Sequence, residues 1–204
     1  MRRSLPLLLA VCLAVSASAQ LSLGAGGNYT RFLGDYQTNK PGFHTRVQYE
    51  KGLYGLGLQY TYHAPLHLLF VGSLDAPSSS PNSTDTKIDI RFQSIDLFLR
   101  RAILDNTDSK AKLYGGLGAS WVFLRYQEKY MTAYTGAPVS PLEDGKNQSL
   151  SVNAMLGTEY SLGRVALYGE AAYSLPTSKW YIKQTINTIS PRLSLQVGVK
   201  LPLN

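Results

Sequence analysis

The sequence predicts an all-β fold, an eight-stranded antiparallel up-and-down transmembrane β-barrel, on three observations. Apolar and polar residues alternate with period two through most of residues 20–204, the pattern of strands whose two faces meet different surroundings. No stretch after residue 19 approaches the eighteen or so apolar residues that a membrane helix needs, and none shows a 3.6-residue period. Connections alternate between long polar segments and short turns, as in barrels that cross a bilayer with short turns on one side and long loops on the other.

Met1-Arg2-Arg3 is a short cationic start, Leu5–Val15 an apolar run too short to span a bilayer, and Ala17-Ser18-Ala19 a small-x-small cleavage site. Residues 1–19 are therefore expected to be a secretory signal peptide and residues 20–204 the barrel. The single cysteine, Cys12, falls in the leader, so the mature chain must be held by packing or by a membrane, without disulfides. Without Arg2 and Arg3 the balance is 18 basic to 13 acidic residues, and the basic residues are scattered. Nucleic acid is a poor partner for such a distribution.

In the first strand Leu21, Leu23, Ala25, Gly27 and Tyr29 oppose Ser22, Gly24, Gly26, Asn28 and Thr30. After a loop at Gly34–Pro41 the second sets Phe43, Thr45, Val47 and Tyr49 against His44, Arg46, Gln48 and Glu50. Lys51-Gly52 turns into a third, with Leu56, Leu58, Tyr60 and Tyr62 on one face. A long connection, Pro65–Lys87, opens with the apolar Leu66–Val71, read as a strand extension or a loop folded onto the rim, and continues as a Ser/Pro/Asn-rich loop. Strand four changes phase in its apolar pattern: Ile88, Ile90 and Phe92 are even-numbered, whereas Ile95, Leu97 and Leu99 are odd. A β-bulge near Ser94 would reconcile them.

Asp105–Lys110 is a compact turn, and strand five carries Leu113, Leu117, Ala119, Trp121 and Phe123 against Gly116, Gly118 and Ser120. A second long loop leads to two runs around Gly163. Leu150, Val152, Ala154, Leu156 and Tyr160 oppose Ser149, Ser151, Asn153 and Glu159; Leu167, Ala171, Tyr173 and Leu175 oppose Tyr168, Glu170, Ala172 and Ser174. This is a β-hairpin with strands of membrane-spanning length. A third loop, Pro176–Pro191, precedes the last strand, where Leu193, Leu195, Val197, Val199 and Leu201 oppose Arg192, Ser194, Gln196, Gly198 and Lys200. Leu53-Tyr54-Gly55, Leu113-Tyr114-Gly115 and Leu167-Tyr168-Gly169 form a weak repeat whose first copy is out of phase.

Period two alone does not say which face points inward, because a soluble lipocalin is also an eight-stranded barrel, with its apolar face inside. The polar face here is rich in Gly and Ser and carries both signs of charge, which suits a narrow interior. The apolar face carries Tyr29, Phe43, Tyr62, Phe123 and Tyr173 at one level and Tyr49 and Tyr160 at the other, as two bilayer interfaces would ask. Long and short connections alternate to match. The expected arrangement is apolar outside and polar inside.

The leader, the Gly-rich first strand and the closing Leu-Gln-Val-Gly-Val-Lys of residues 195–200 resemble the outer-membrane β-barrel domain family that includes the PorT-like proteins. More distantly the chain is similar to OmpA- and OmpX-type eight-stranded barrels. The sequence closes Leu201-Pro202-Leu203-Asn204, without the terminal aromatic residue common in such barrels. The resemblance implies a Gram-negative cell outer membrane, with lipid and lipopolysaccharide, the barrel-assembly machinery and an extracellular or envelope protein as partners.

The inward face supplies Arg46, Arg100, Arg192 and Lys200 and, in equal number, Glu50, Asp96, Glu159 and Glu170. Buried charges in so narrow a space require partners, so these side chains are expected to plug the lumen, with Lys200 near Glu170 of the adjoining strand. Arg192 and Glu50 fit a rim in water as well as the network. Arg31, Lys87, Arg125, Lys129, Lys179 and Lys183 flank the long connections, where they suit lipid phosphates or ordinary solvated loop charge.

The leading reading is a structural or interaction barrel that displays loops and is not an enzyme. An alternative is a lipid A-modifying enzyme built on His44, His63 and His67 with Ser73 or Asp75 near the outer rim; no spacing singles out a nucleophile and its base. A further alternative is an accessory of a secretion or transport system. No cofactor or metal motif is present, and Gly24-Ala25-Gly26-Gly27 lacks the helix a dinucleotide loop requires.

Overall fold

The structure, a computed structural model, describes residues 19–33, 38–70, 86–106, 110–130, 144–178, 181–182, 186–187 and 190–203. Apart from Ala19, the expected leader lies outside these residues, as do Ser73, Asp75, Lys179 and Lys183. The strands are β1 (Ala19–Phe32), β2 (Thr38–Lys51), β3 (Tyr54–His63), β4 (Leu66–Phe70), β5 (Thr86–Asn106), β6 (Ala111–Tyr130), β7 (Asp144–Ser161), β8 (Ala166–Pro176), β9 (Tyr181–Ile182), β10 (Ile186–Asn187) and β11 (Arg192–Leu203). Each of β1, β2, β3, β5, β6, β7, β8 and β11 hydrogen-bonds to its neighbours, and β1–β11 and β3–β5 pairing closes the circle. The eight antiparallel strands therefore close on themselves as a barrel. β4 continues the line of β3 along β5, and β9 and β10 form a separate pair.

The β7–β8 hairpin shows how the sequence fixes the register. Gly163 takes φ 80°, a left-handed conformation natural to glycine, and Leu162 N–H donates to the Val165 carbonyl at 2.7 Å. Tyr160 then stands opposite Leu167 and Leu156 opposite Ala171, so apolar residues pair on one face. That face points outward: Leu156, Leu167 and Val197 are 55%, 46% and 66% exposed. The opposite face is buried and polar, with Arg46, Gln48, Asn153, Glu159 and Glu170 inside. The lipocalin arrangement is thereby excluded, and the architecture is that of a transmembrane barrel.

Three expectations are corrected. β5 has no bulge near Ser94; it runs in unbroken register with β6 from Thr86↔Tyr130 to Ala102↔Tyr114, and its irregularity lies between Ala102 and Leu104. Ile88, Ile90 and Phe92 face inward, in phase with Ser94, Asp96 and Phe98. What changes along this strand is the interior, not the phase. Toward the long-connection end Phe32, Ile88, Ile90, Phe92, Val122 and Leu124 make an apolar cluster, with Leu66, Leu68 and Tyr126 packed against it.

Second, β2 starts at Thr38, because the β1–β2 ladder continues to Phe32↔Thr38 and takes in Pro41 opposite Tyr29. The loop expected at Gly34–Pro41 shrinks accordingly. The Leu-Tyr-Gly segments lie at the starts of β3, β6 and β8, and the first copy is out of phase as the sequence showed: Tyr114 and Tyr168 are buried inside, whereas Tyr54 is 54% exposed on the outer face. The third correction concerns ion-pair partners and is given below. The apolar residues opening the Pro65–Lys87 connection do extend a strand, as β4.

Candidate functional site

An eight-stranded barrel encloses little more room than its own side chains fill, and here they fill it in layers. At the short-turn end Glu50 (β2), Arg100 (β5), Glu159 (β7) and Lys200 (β11) form a ring of alternating charge. Arg100 binds Glu50 and reaches Glu159 at 3.0 Å; Lys200 binds Glu159 and reaches Glu50 at 3.2 Å. Gln48 Nε2 adds a 2.5 Å hydrogen bond to Glu50. Each carboxylate thus meets two cations, which offsets the cost of taking the charges out of water. Strand register brings these groups together: Glu50, Glu159 and Lys200 lie near the ends of β2, β7 and β11, and Arg100 stands opposite Gly55 at the start of β3.

Above the ring Arg46 (β2) meets Glu170 (β8) through two parallel hydrogen bonds of 2.6 and 2.5 Å and donates to Gln196 Oε1 at 3.0 Å. This bidentate geometry is the strong form of an arginine–carboxylate pair. The guanidinium carbon lies 4.2 Å from the Tyr168 ring centroid and 5.6 Å from that of Phe98. Tyr114 O–H donates to Glu170 Oε1 at 2.6 Å, and Arg100 packs 4.3 Å over the Tyr114 ring. Cation–π contact in a desolvated site adds to the ionic term.

Glycines on the inner wall make room for these rings. A Cβ at Gly57 would lie 2.1 Å from the Phe98 ring, at Gly157 2.6 Å from Tyr114, and at Gly198 2.4 Å from the Tyr168 hydroxyl. The small residues of the polar face are thus seats for buried aromatics.

The next layer is mostly hydroxyl and amide side chains around the charges of Asp96 and Arg192. Thr30 Oγ1 is 2.7 Å from Ser194 Oγ and 3.0 Å from His63 Nε2, Gln59 donates to Thr61, and Thr61 and Ser94 donate to Asp96. A cavity of about 40 Å³ lies among Asp96, Asn153, Glu170 and Arg192. The apolar cluster follows, with the Phe32 and Phe92 rings 4.8 Å apart and His63 edge-on to Phe32.

The eight inward charges are therefore distributed over three levels. Lys200 does not pair with Glu170, as expected from strand adjacency: it pairs with Glu50 and Glu159, and Glu170 pairs with Arg46. Adjacency compares only neighbouring strands, but in a barrel this narrow long side chains reach across the lumen. Arg192 is 6% exposed and the Glu50 side chain 12% exposed, so neither stands in open water.

The histidines of the enzyme alternative are separated. His44 is buried, 2.6 Å from the Tyr168 hydroxyl, and His63 is buried beside Thr30. His67 is exposed on β4, with Nδ1 2.5 Å from Asp89 Oδ1. Among the rim cations Arg31 and Arg125 are exposed, and Lys87 Nζ lies 3.3 Å from Asp89. Lys129 stands opposite Lys87 in the ladder; its side chain lies outside the described residues. Sequence reasoning missed Phe98 and Tyr114 as lumen residues. The signal was present, since each continues the inward parity of its strand, but Phe98 and Tyr114 sit among apolar neighbours that hide it.

No family model matches the chain, and no curated protein sequence matches it. Among solved structures the fold is similar to a major outer membrane protein from Thermus thermophilus, with a TM-score of 0.64 and 12% identity over 91% of this chain and 99% of that one. It is also similar to Neisserial surface protein A, with a TM-score of 0.51 and 17% identity over 91% of this chain and 97% of that one. At these identities the likeness is one of fold, and the fold is the transmembrane β-barrel.

Proposed function

We propose that this protein is an integral outer-membrane barrel with a closed lumen, and that it serves a structural or interaction role through its long connections. One observation carries the reading: an apolar outer face surrounds an interior occupied at every level, by an ionic ring, an Arg–aromatic layer, a polar layer and an apolar cluster. Such a barrel provides a stable membrane anchor and no solute path. The connections that follow β4 and β6 leave from the side of the apolar cluster, where they are available to an extracellular or envelope partner. Outer-membrane lipid and lipopolysaccharide are the surroundings this outer face suits, and the barrel-assembly machinery is the insertion route. A secretion accessory role rests on the PorT-like resemblance alone.

The test is twofold. The protein should fractionate with the outer membrane, resist extraction without detergent and migrate differently on a gel when unboiled. Refolded into a planar bilayer it should give no steady conductance. Recovery as a soluble monomer would refute the membrane reading; a stable channel of porin size would refute the closed lumen.

A further inference from the structure

On the outer face of β5, β6 and β7, Arg91 stands directly opposite Arg125, and Arg125 directly opposite Lys146. All three are exposed. Among the described residues none of them makes an ion pair. Like charges directly opposite one another on a sheet are destabilising, so three cations in one row call for an anion.

Their position says which anion. Each stands four residues beyond an outward apolar side chain, namely Ile95, Trp121 and Leu150. Four residues rise about 13 Å along a strand, or about 10 Å along the membrane normal at a tilt of about 40°. That is the headgroup level if Ile95, Trp121 and Leu150 mark the edge of the hydrocarbon. The aromatics agree: Trp121 stacks on Phe123 with centroids 5.4 Å apart, and its Nε1 donates to Gln148 at 3.0 Å. Amphipathic rings of this kind anchor at the interface.

The three cations form the shared wall of two grooves. The outer one, about 580 Å³, also contains Asp89 and Asp144. Asp89 is already engaged by His67 and Lys87. The groove on the membrane side, about 290 Å³, is lined by the same three cations with Gln93, Phe123 and Gln148, and by no carboxylate. Acids thus border the row only on the side away from the hydrocarbon.

We propose that Arg91, Arg125 and Lys146 form a binding site for the phosphate of a phosphorylated lipid headgroup in the outer leaflet. Two guanidinium forks and an ammonium suit a phosphate, amide side chains lie below it toward the acyl chains, and long cationic stems can reach along the apolar surface to the headgroup. The site rests on the reading that the long connections face the cell exterior. It shares only Arg125 with the rim cations read from the sequence.

The experiment uses the full chain refolded in neutral detergent and native mass spectrometry of bound lipid. The probes are bisphosphorylated lipid A, its phosphate-free form and inorganic phosphate. Wild type should retain the bisphosphorylated lipid. The R91Q/R125Q/K146Q variant should lose about a hundredfold in affinity, at roughly 1 kcal/mol per cation near an anionic surface. Arg125→Gln alone, a milder change should the triple variant fold poorly, should lose about fivefold. K51Q/R164Q, at the short-turn end, should bind as wild type does. The proposal is overturned if the triple variant binds normally, if phosphate-free lipid A binds equally well, if K51Q/R164Q loses as much, or if millimolar inorganic phosphate displaces the lipid completely. Failure of the barrel reading would show separately, as loss of the heat-dependent gel shift in the wild type.

Discussion

Arg46 on β2 and Glu170 on β8, 124 residues apart in the chain, meet across the lumen through two hydrogen bonds of 2.6 and 2.5 Å, with side chains 1% and 3% exposed. Removing one partner leaves an uncompensated buried charge. Glu170→Ala should therefore destabilise the barrel by about 3–5 kcal/mol, and replacing both residues by apolar ones of similar volume should cost less than the single change. Urea unfolding in micelles measures both; an E170A barrel as stable as wild type would show that the pair is not a structural tie.

The ring at the short-turn end makes a separate prediction about coupling. Lys200 shares Glu50 and Glu159 with Arg100, while Glu170 belongs to Arg46 and Tyr114. Double-mutant cycles should give a coupling of about 0.5–3 kcal/mol between K200A and E159A, and additivity within about 0.5 kcal/mol between K200A and E170A. The reverse order would mean that Lys200 reaches the upper layer.

Gly57 is where Phe98 sits. Because a Cβ there would lie 2.1 Å from the ring, Gly57→Ala should overpack the lumen at a cost of about 1–3 kcal/mol. Combining it with Phe98→Leu should recover part of that loss. A G57A barrel of unchanged stability, with or without F98L, would contradict the seat.

On the outer face, Leu156→Arg should cost about 2–4 kcal/mol in phospholipid vesicles, where residue 156 faces hydrocarbon. Leu156→Val should cost far less. Refolding equilibria that do not separate the two would place this face outside the bilayer.

Beyond the apolar band, Asp89 titrates differently from an ordinary aspartate. Desolvation raises its pKa, but the hydrogen bonds and charges of His67 and Lys87 outweigh it and hold the carboxyl below the usual range. A depressed folded-state pKa contributes stability above the unfolded value and loses it as pH falls through the folded one. Carbon-detected NMR titration should find Asp89 below a model aspartate, and His67→Ala should bring it up. A value unmoved by that substitution would exclude the contact.

Much of the fold was legible because period two is a local property. Leu150 to Tyr160 and Leu167 to Leu175 assign faces without knowledge of any distant residue, and Gly163 fixes where one run ends and the next begins. The inward parity of Arg46, Arg100, Glu159 and Glu170 came from the same alternation. Where it failed, the cause was a second environment on one face. In β5 the interior passes from apolar at Ile88, Ile90 and Phe92 to polar at Ser94 and Asp96, and a composition change on an unbroken strand reads as a slip of phase.

The sequence by itself determined that this chain is a transmembrane barrel, how many strands close it and, outside the apolar half of β5 and the buried Phe98 and Tyr114, which residues line each face, because alternation and turn spacing act over a few residues. Only the tertiary structure decided which charges meet. Arg46 finds Glu170, Lys200 finds Glu50 and Glu159, and Arg91, Arg125 and Lys146 fall into one row. Those relationships depend on barrel closure, strand register and the reach of long side chains across a narrow lumen, none of which is written in any single strand.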